Sequence, residues 1–261
     1  MINTKVFLNL PLIFKEKVKI YPPTVYDVVK DNNYYKYLQV LTFSQEEIED
    51  LIMEDKRKNS NSLEDYKINN NFPTPLEFLF INCSGSSHYE KIVQDAFKFF
   101  LKQEIIFLYK EKSILVGNLE EQLLSAKKLD DLVLINESNF FEFQNLIRTV
   151  TGLPQIELPE IDENPRIRQM KAKARYRDKI KAKQAQKDGI TLGTSLASIC
   201  CMNMGLNPLN IGQISYAAVS DLTKIYQQKE NYEIDVRSIQ AGADSKKINP
   251  KYWIKEIKEE K

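Results

Sequence analysis

The spacing of hydrophobic positions predicts short strands at the start of the chain and helices over most of the rest. We expect Val6–Leu10 and Leu12–Tyr21 to form two short strands, the second with apolar residues alternating with polar ones. Thr24 is then placed to cap a short helix. Ser44, with a glutamate three residues on, has the spacing of a capping box. Thr74-Pro75 fits an N-cap with proline at the first helical position.

Three further elements complete the N-terminal region. Apolar residues near 3.6-residue spacing predict a helix over about 87–101. Two apolar runs on either side of the charged residues 110–112 predict a β-hairpin. A helix from about Asn139 to Thr151 follows, with Ser138 as its expected cap and Gly152 as its expected end.

After Thr151 the composition changes twice. Residues 154–165 carry three prolines and four acidic residues, which predicts a stiff linker. Beyond the linker the apolar spacing is helical. The stripes Ile211–Ile225 and Tyr232–Ala243 predict two antiparallel helices. A third helix between Gly189 and Gly205 is apolar nearly all round, so we expect it to be buried.

These elements predict an α+β protein in four parts. A mixed N-terminal domain of short strands and helices is followed by the linker, a basic connecting helix and a small C-terminal helical bundle. The expected boundaries are residues 1–153, 154–165, 166–188 and 189–261.

The near-neutral net charge of the chain hides one strongly basic segment. The whole chain has 37 basic and 36 acidic residues and a net charge of +1. Ten basic residues between Arg166 and Lys187 stand against Asp178 alone, which gives this segment +9 and leaves −8 for the rest. On a helix these basic residues scatter around the cylinder, since each residue advances it by about 100°.

Three interpretations of the basic segment stay open: a solvated connecting helix, an arm that binds an acidic protein surface, and a contact with nucleic acid phosphates. The sole tryptophan is either an anchor for the C-terminal tail or a hot spot for a partner. The candidate partner-binding residues are Arg166, Arg168, Lys171, Lys173, Arg175, Arg177, Lys179, Lys181, Lys183 and Trp253.

The residue types of common catalytic sites are scarce in this sequence. His88 is the only histidine, which excludes a histidine-rich metal site. Cys83, Cys200 and Cys201 suit neither a disulfide framework nor a C-x-x-C motif, so we expect reduced thiols in a cytoplasm. No apolar run approaches the ~18–20 residues of a membrane helix. We therefore expect a protein that is not an enzyme and has no cofactor, no metal and no membrane partner.

Three stretches of the sequence resemble proteins encoded among the tail genes of tailed phages and prophages of Gram-positive bacteria. Residues 7–29 resemble the start of such proteins: FLNLPLIFKEKVKIYPPTVYDVV. Residues 135–152 resemble their central "asparagine–phenylalanine" helix: INESNFFEFQNLIRTVTG. YEIDVRSIQAGAD and the later PKYWIKEI resemble a helical tail of phage tail assembly chaperones, in which an Ala-Gly-Ala turn precedes a tryptophan. The matching positions here are Ala241, Gly242, Ala243 and Trp253.

The resemblance implies a non-enzymatic tail assembly factor that binds other phage tail proteins, either the tape-measure protein or tail subunits. Such a factor would act in the cytoplasm of the bacterial host, or be found in the virion tail. A structural component of the tail or baseplate is one alternative. A nucleic-acid-binding protein that uses the segment 166–187 is another.

Overall fold

The computed structural model describes residues 3–58, 72–117, 133–156, 192–201 and 205–243, together with Ile248 and Pro250. These residues confirm the predicted α+β class. The helices are α1 (Thr4–Phe7), α2 (Val25–Lys30), α3 (Tyr34–Thr42), α4 (Gln45–Lys58), α5 (Pro75–Gly85), α6 (Ser87–Leu101), α7 (Glu137–Thr151), α8 (Leu192–Cys201) and α9 (Tyr216–Gln240). The strands are β1 (Leu12–Phe14), β2 (Val18–Ile20), β3 (Ile105–Leu108), β4 (Ser113–Val116) and β5 (Val133–Ile135).

The first predicted strand is wrong, because the chain begins with a helix. The side chain of Asn3 accepts hydrogen bonds from the N–H groups of Lys5 and Val6, at 3.1 and 3.2 Å. These bonds cap α1 and favour a helical turn over an extended chain.

The predicted strand over residues 12–21 is also wrong, because it is a β-hairpin of β1 and β2. The chain reverses at Lys15 and Glu16, whose φ angles are +48° and +61°. Phe14 pairs with Val18, four residues away, so both point to the same face. Because Phe14 and Val18 are an even number of residues apart, polar and apolar residues keep alternating through the turn. A hairpin of this kind therefore has the same sequence pattern as one continuous strand.

Three predicted helix N-caps and one predicted helix end are confirmed. Reciprocal capping bonds form at Thr24, Ser44 and Thr74. The helix α6 and the hairpin of β3 and β4 also lie where the apolar spacing predicts them. Gly152 ends α7 with a φ of +74°.

The predicted cap of α7, Ser138, is wrong. The helix begins one residue before it, and Asn136 supplies the capping oxygen to the N–H of Ser138 at 3.1 Å. Asparagine and serine are both favourable N-cap residues, so the sequence alone does not distinguish Asn136 from Ser138 as the cap of α7.

The main core lies where α3, α6 and α7 meet the first hairpin and the three-stranded sheet. Phe97 of α6 stacks on Phe143 of α7 with ring centroids 5.2 Å apart, and Phe14 meets the edge of Phe143 at 5.5 Å. The sheet has the antiparallel order β3-β4-β5. Its inner face contributes Ile114 and Ile135, both fully buried.

Most residues of the two C-terminal apolar stripes lie on one helix and not on two antiparallel helices, while Ile211 and Ile214 precede that helix and Ala243 follows it. The helix α9 continues from Tyr216 to Gln240 through the polar stretch at residues 227–231, which contains neither glycine nor proline to stop it. Its first turns pack onto the N-terminal region. Ala217 belongs to the main core, while Val219 forms a second cluster with Val25, Ile199 and Ile211.

The expectation that the cysteine-containing helix is buried all round is wrong as well. This helix is α8, and of its described side chains only Ile199 is buried. Ala197 and Cys201 are exposed. The linker from residue 157 onward and the predicted basic helix 166–188 lie outside the described residues.

Candidate protein-interaction surfaces

The ten residues predicted to bind partners all lie outside the described part of the chain. They are Arg166, Arg168, Lys171, Lys173, Arg175, Arg177, Lys179, Lys181, Lys183 and Trp253. Their role stays a prediction. The Ala-Gly-Ala turn that precedes Trp253 is described, and it ends α9. Gly242 has a φ of +97°, and the N–H of Ala243 donates to the carbonyl of Ser238 at 3.0 Å. This is the glycine-terminated helix end known as a Schellman motif.

A polar cavity lies where the first turns of α5 and α7 meet the turn between β3 and β4. Lys112 Nζ contacts Glu77 Oε1 at 2.7 Å, and the Thr74 hydroxyl donates to Glu137 Oε2 at 2.9 Å. The hydrogen bond from Lys112 and the one from the N–H of Thr74 lower the pKa of Glu77. Within this cavity Lys112 and Thr74 therefore already donate to the carboxylates of Glu77 and Glu137. These contacts connect α5, the turn between β3 and β4, and α7.

The buried cysteine Cys83 and the single histidine His88 lie in contrasting environments. Cys83 is buried, and burial raises its thiol pKa to about 12, so the nucleophilic thiolate is scarce at neutral pH. His88 is exposed in the first turn of α6. Over the described residues, no group of three or more His, Cys, Asp or Glu side chains is arranged to hold a metal ion.

Four exposed apolar side chains lie within seven residues of the chain, at Phe7, Leu8, Leu10 and Ile13, and are here called the N-terminal knob. Their exposed fractions are 38%, 60%, 49% and 53%. Val6 is buried and anchors the knob to the main core. The chain folds back after α1, since the N–H of Leu10 donates to the carbonyl of Lys5 at 2.7 Å. The side chain of Ile13 points outward because its two neighbours in β1 point inward.

The knob is bordered by positive charge. Residues 3–21 contain four lysines and one glutamate, which sum to +3. Lys19 pairs directly with Ile13 across the hairpin, and Lys5 lies in α1. Both lysines are exposed. Lys15 contacts Glu142 of α7 at 2.6 Å. An exposed apolar patch with a charged rim is typical of protein-interaction surfaces.

The pattern from Val6 to Phe14 did contain a signal for this knob. Eight of its nine residues are apolar or proline, which is more than one face of a strand or short helix can bury. A strand buries the apolar residues of one face only, so a strand in this stretch would also leave apolar side chains exposed.

The first turn of α9 is fixed to the N-terminal region. The N–H of Tyr216 donates to Pro23 O at 2.8 Å, and the N–H of Val25 donates to Ile214 O at 3.0 Å. The ring of Tyr216 meets the edge of Tyr34 with centroids 5.6 Å apart. From residue 223 to residue 240 no described side chain is buried. That span is about 27 Å long at 1.5 Å per residue.

None of the helices in the described ranges combines the length and the apolar character needed to cross a membrane. Comparison with curated proteins and with solved structures found no match to this chain. Residues 181–258 match the family model described as the YomV second domain, a family of phage type. The matched range includes α8, α9 and Trp253, and it covers less than a third of the chain. Over this C-terminal range the chain is therefore similar to a phage domain family, which suggests a phage-related protein.

Proposed function

We propose that this protein is a non-enzymatic factor of phage tail morphogenesis, which binds a helical client in the manner of a tail assembly chaperone. The client is the tape-measure protein or a tail subunit. The similarity of residues 181–258 to a phage domain family supports the phage setting. The observation that carries the binding role is the N-terminal knob with its lysine rim.

The chemistry of the knob selects the kind of client it fits. Its four apolar side chains match the apolar stripe of an amphipathic helix, which needs a hydrophobic surface to cover it. The exposed Lys5 and Lys19 favour acidic residues beside that stripe, because opposite charges on the rim steer the encounter. The basic segment 166–187 would add further contacts to acidic faces of the same client, and Trp253 would add an aromatic anchor.

The test is a nuclease-treated pull-down from cells that make the native system, with bound proteins identified by mass spectrometry. The double variant Leu8→Ser/Leu10→Ser removes two half-exposed side chains without touching the core. Burying each against a client is worth roughly 1 kcal/mol, since the buried area is about half of a leucine side chain. We expect affinity for the client to fall about tenfold to thirtyfold.

The matched control is Ile81→Ser, because Ile81 is 58% exposed on α5 and lies outside the knob. It should bind the client as the wild type does. Recovery of a long helical protein or a tail subunit by the wild type and the control, with loss by the double variant, is the expected result. Equal recovery by all three would refute the role of the knob.

A nucleic-acid-binding function is the second candidate, and the charge of +9 on residues 166–187 favours it. Its affinity for DNA or RNA would fall by orders of magnitude between about 50 and 200 mM salt if six or more phosphates are contacted. Loss of all partners after nuclease treatment would support this candidate against the chaperone. Recovery of the chain in purified particles would instead support a structural role in the tail or baseplate.

A further inference from the structure

The strand β3 lies at an edge of the three-stranded sheet, because the order β3-β4-β5 leaves one of its sides unpaired. The N–H of Gly117 donates to Glu104 O at 3.4 Å, so this pair of residues is hydrogen-bonded. Backbone groups alternate in direction along an antiparallel strand, and those of Ile105 and Phe107 therefore point away from β4. No hydrogen bond reaches these outward groups from the residues that the structure describes. Ile106, between them, is 41% exposed.

The opposite edge of the sheet, at β5, is already covered. The carbonyl of Leu134 points away from β4 and accepts a hydrogen bond from Asn139 Nδ2 at 2.9 Å. Asn136 follows β5 directly and caps α7, so that helix begins at this edge. The strand β3 reads Ile-Ile-Phe-Leu and contains neither the lysine nor the proline that commonly protects an edge strand from pairing. Of the two edges, β3 is therefore the one open to a further strand.

A second copy of β3 fits this edge in the antiparallel direction. The register that uses every outward group of the strand pairs Ile105 of one copy with Phe107 of the other, and Phe107 with Ile105. Each pair forms two backbone hydrogen bonds, which gives four in all. A twofold axis then passes between the two copies of Ile106. These two residues form a close pair without hydrogen bonds between them, with Cα atoms about 4.5 Å apart.

The same register brings apolar side chains together on both faces of the sheet. On the outer face Ile106 pairs with Leu115, which in turn pairs with Leu134. Leu134 is 41% exposed, as Ile106 is. Two copies would join these rows into one aliphatic row across six strands, with Ile106 packed on Ile106 at its centre. On the inner face the partly buried ring of Phe107 would meet Ile105 of the other copy, and pairs of aromatic and β-branched residues stabilise neighbouring strands.

The charges beside β3 favour the same arrangement. The stretch Ile105–Leu108 contains no charged residue, so no like charges would face each other within it. Glu104 of each copy would lie next to the end of β3 of the other, where the turn contains Lys110. Its contact with Lys98 of its own chain is long, at 4.0 Å, and the Glu104 side chain is 75% exposed. Lys102 turns away from the edge, since its φ is +57° and its ammonium lies over an aromatic ring of its own chain at 5.1 Å.

We propose that the protein forms a homodimer through antiparallel pairing of the β3 strands of two copies, which gives a continuous six-stranded sheet. A strand of four residues from each copy makes a small interface compared with the roughly 800 Å² per partner of a stable complex. The dimer is therefore weak, with a dissociation constant on the order of 100 μM. Assembly stops at two copies, because the remaining edges at β5 are covered. The inference does not depend on the proposed function, because it concerns the purified chain alone.

Sedimentation equilibrium of the full chain tests the dimer. Ile106→Lys should raise the dissociation constant by about tenfold or more, because two ammonium groups would face each other across the axis. The matched control is Leu134→Lys, which makes the same change on the same face at an equally exposed position. Leu134 lies two strands from Ile106, about 10 Å away, so this control should dimerise as the wild type does. A wild-type chain that stays monomeric at about 500 μM, above the expected constant, would overturn the dimer, and so would equal effects of the two lysine variants.

An exchange of charge tests the register. Ile106→Glu alone should weaken the dimer as Ile106→Lys does. An equimolar mixture of the two variants should pair more tightly than either variant alone, because opposite charges then face each other across the axis. A mixture that pairs no better than its components would overturn the pairing of Ile106 with Ile106.

Spin labels test the direction of the pair. We would label Lys110→Cys in a background in which Cys200 and Cys201 of α8 are replaced by serine. In the antiparallel pair the two labels lie at opposite ends of the paired strands, more than about 20 Å apart at a rise of ~3.4 Å per residue. A parallel pair would bring the labels within about 10 Å of each other and overturn the proposed geometry.

Discussion

Gln144 offers the sharpest test of how the core is held together. This α7 side chain is 1% exposed, although glutamine is usually found at the surface. Its Nε2 donates to the carbonyl of Phe43 at 2.9 Å and to that of Leu41 at 3.3 Å. These carbonyls lie at the end of α3, where backbone acceptors lack partners within the helix. Gln144→Met keeps the length of the side chain and removes both donors.

The expected loss of stability follows from these two bonds. A buried acceptor left without a partner costs about 1–3 kcal/mol. The bond to Leu41 is long and contributes less, and the thioether of methionine regains some apolar contact. The donation from Arg148 Nη1 to Thr42 O at 2.7 Å also remains, so the end of α3 stays partly anchored. We expect the free energy of unfolding to fall by about 2 kcal/mol, which lowers Tm by roughly 4–8 °C for a chain of this size.

Urea denaturation followed by far-ultraviolet circular dichroism measures this loss. The matched control is Gln94→Met, because Gln94 is exposed on α6 and its Nε2 donates to Glu90 Oε1 in a long hydrogen bond of 3.4 Å. The control should change the free energy of unfolding by less than about 0.5 kcal/mol. If the two variants lose the same amount, the buried amide does not anchor α3 and the reasoning is wrong.

Three further predictions use the same structure. Gly152→Ala should lower the free energy of unfolding by about 1 kcal/mol more than Gly205→Ala does, as measured by urea denaturation. Both glycines have a positive φ, but only at Gly152 would the added Cβ lie 3.1 Å from Ala217 in the first turn of α9. Lys112→Gln should cost no more than about 0.5 kcal/mol at pH 7, because its partner Glu77 is more than a third exposed. Since the pKa of Glu77 is lowered in the folded state, the difference from wild type should vanish as pH falls through that pKa. Iodoacetamide at pH 8 should modify the exposed cysteine of α8 and leave Cys83 unmodified until urea unfolds the chain, as peptide mass spectrometry would show.

Short-range signals account for the parts of the fold that the sequence predicts well. Capping at Thr24, Ser44 and Thr74 involves residues three positions apart, so the pattern alone contains the whole interaction. The end of α7 depends on one glycine in the left-handed conformation, which is equally local. The hairpin at residues 12–20 is different, because its turn preserves the alternation and only pairing across the chain reveals it.

The candidate surfaces could be predicted only in part. Exposure of Leu8 and Leu10 depends on which neighbours find room in the core, and that is decided by tertiary packing. The sequence predicts two helices where the structure has the single helix α9, because the polar residues around Lys229 resemble a connecting loop. Charge density can be counted without knowledge of tertiary packing, so the sequence alone identifies the basic segment 166–187. Its role stays a prediction.

The docking of α9 joins regions that composition separates. Tyr34 has no exposed surface, and its ring is covered in part by Tyr216 from beyond the predicted linker. Gly152, at the end of the N-terminal region, lies so near Ala217 that a Cβ added to the glycine would be 3.1 Å from the Cα of Ala217. We therefore expect the base of α9 to unfold together with the N-terminal region, and a fragment that stops before the linker to lose part of the main core. The first turn of α9 therefore packs as part of the main core, although it lies beyond the change in composition at residues 154–165.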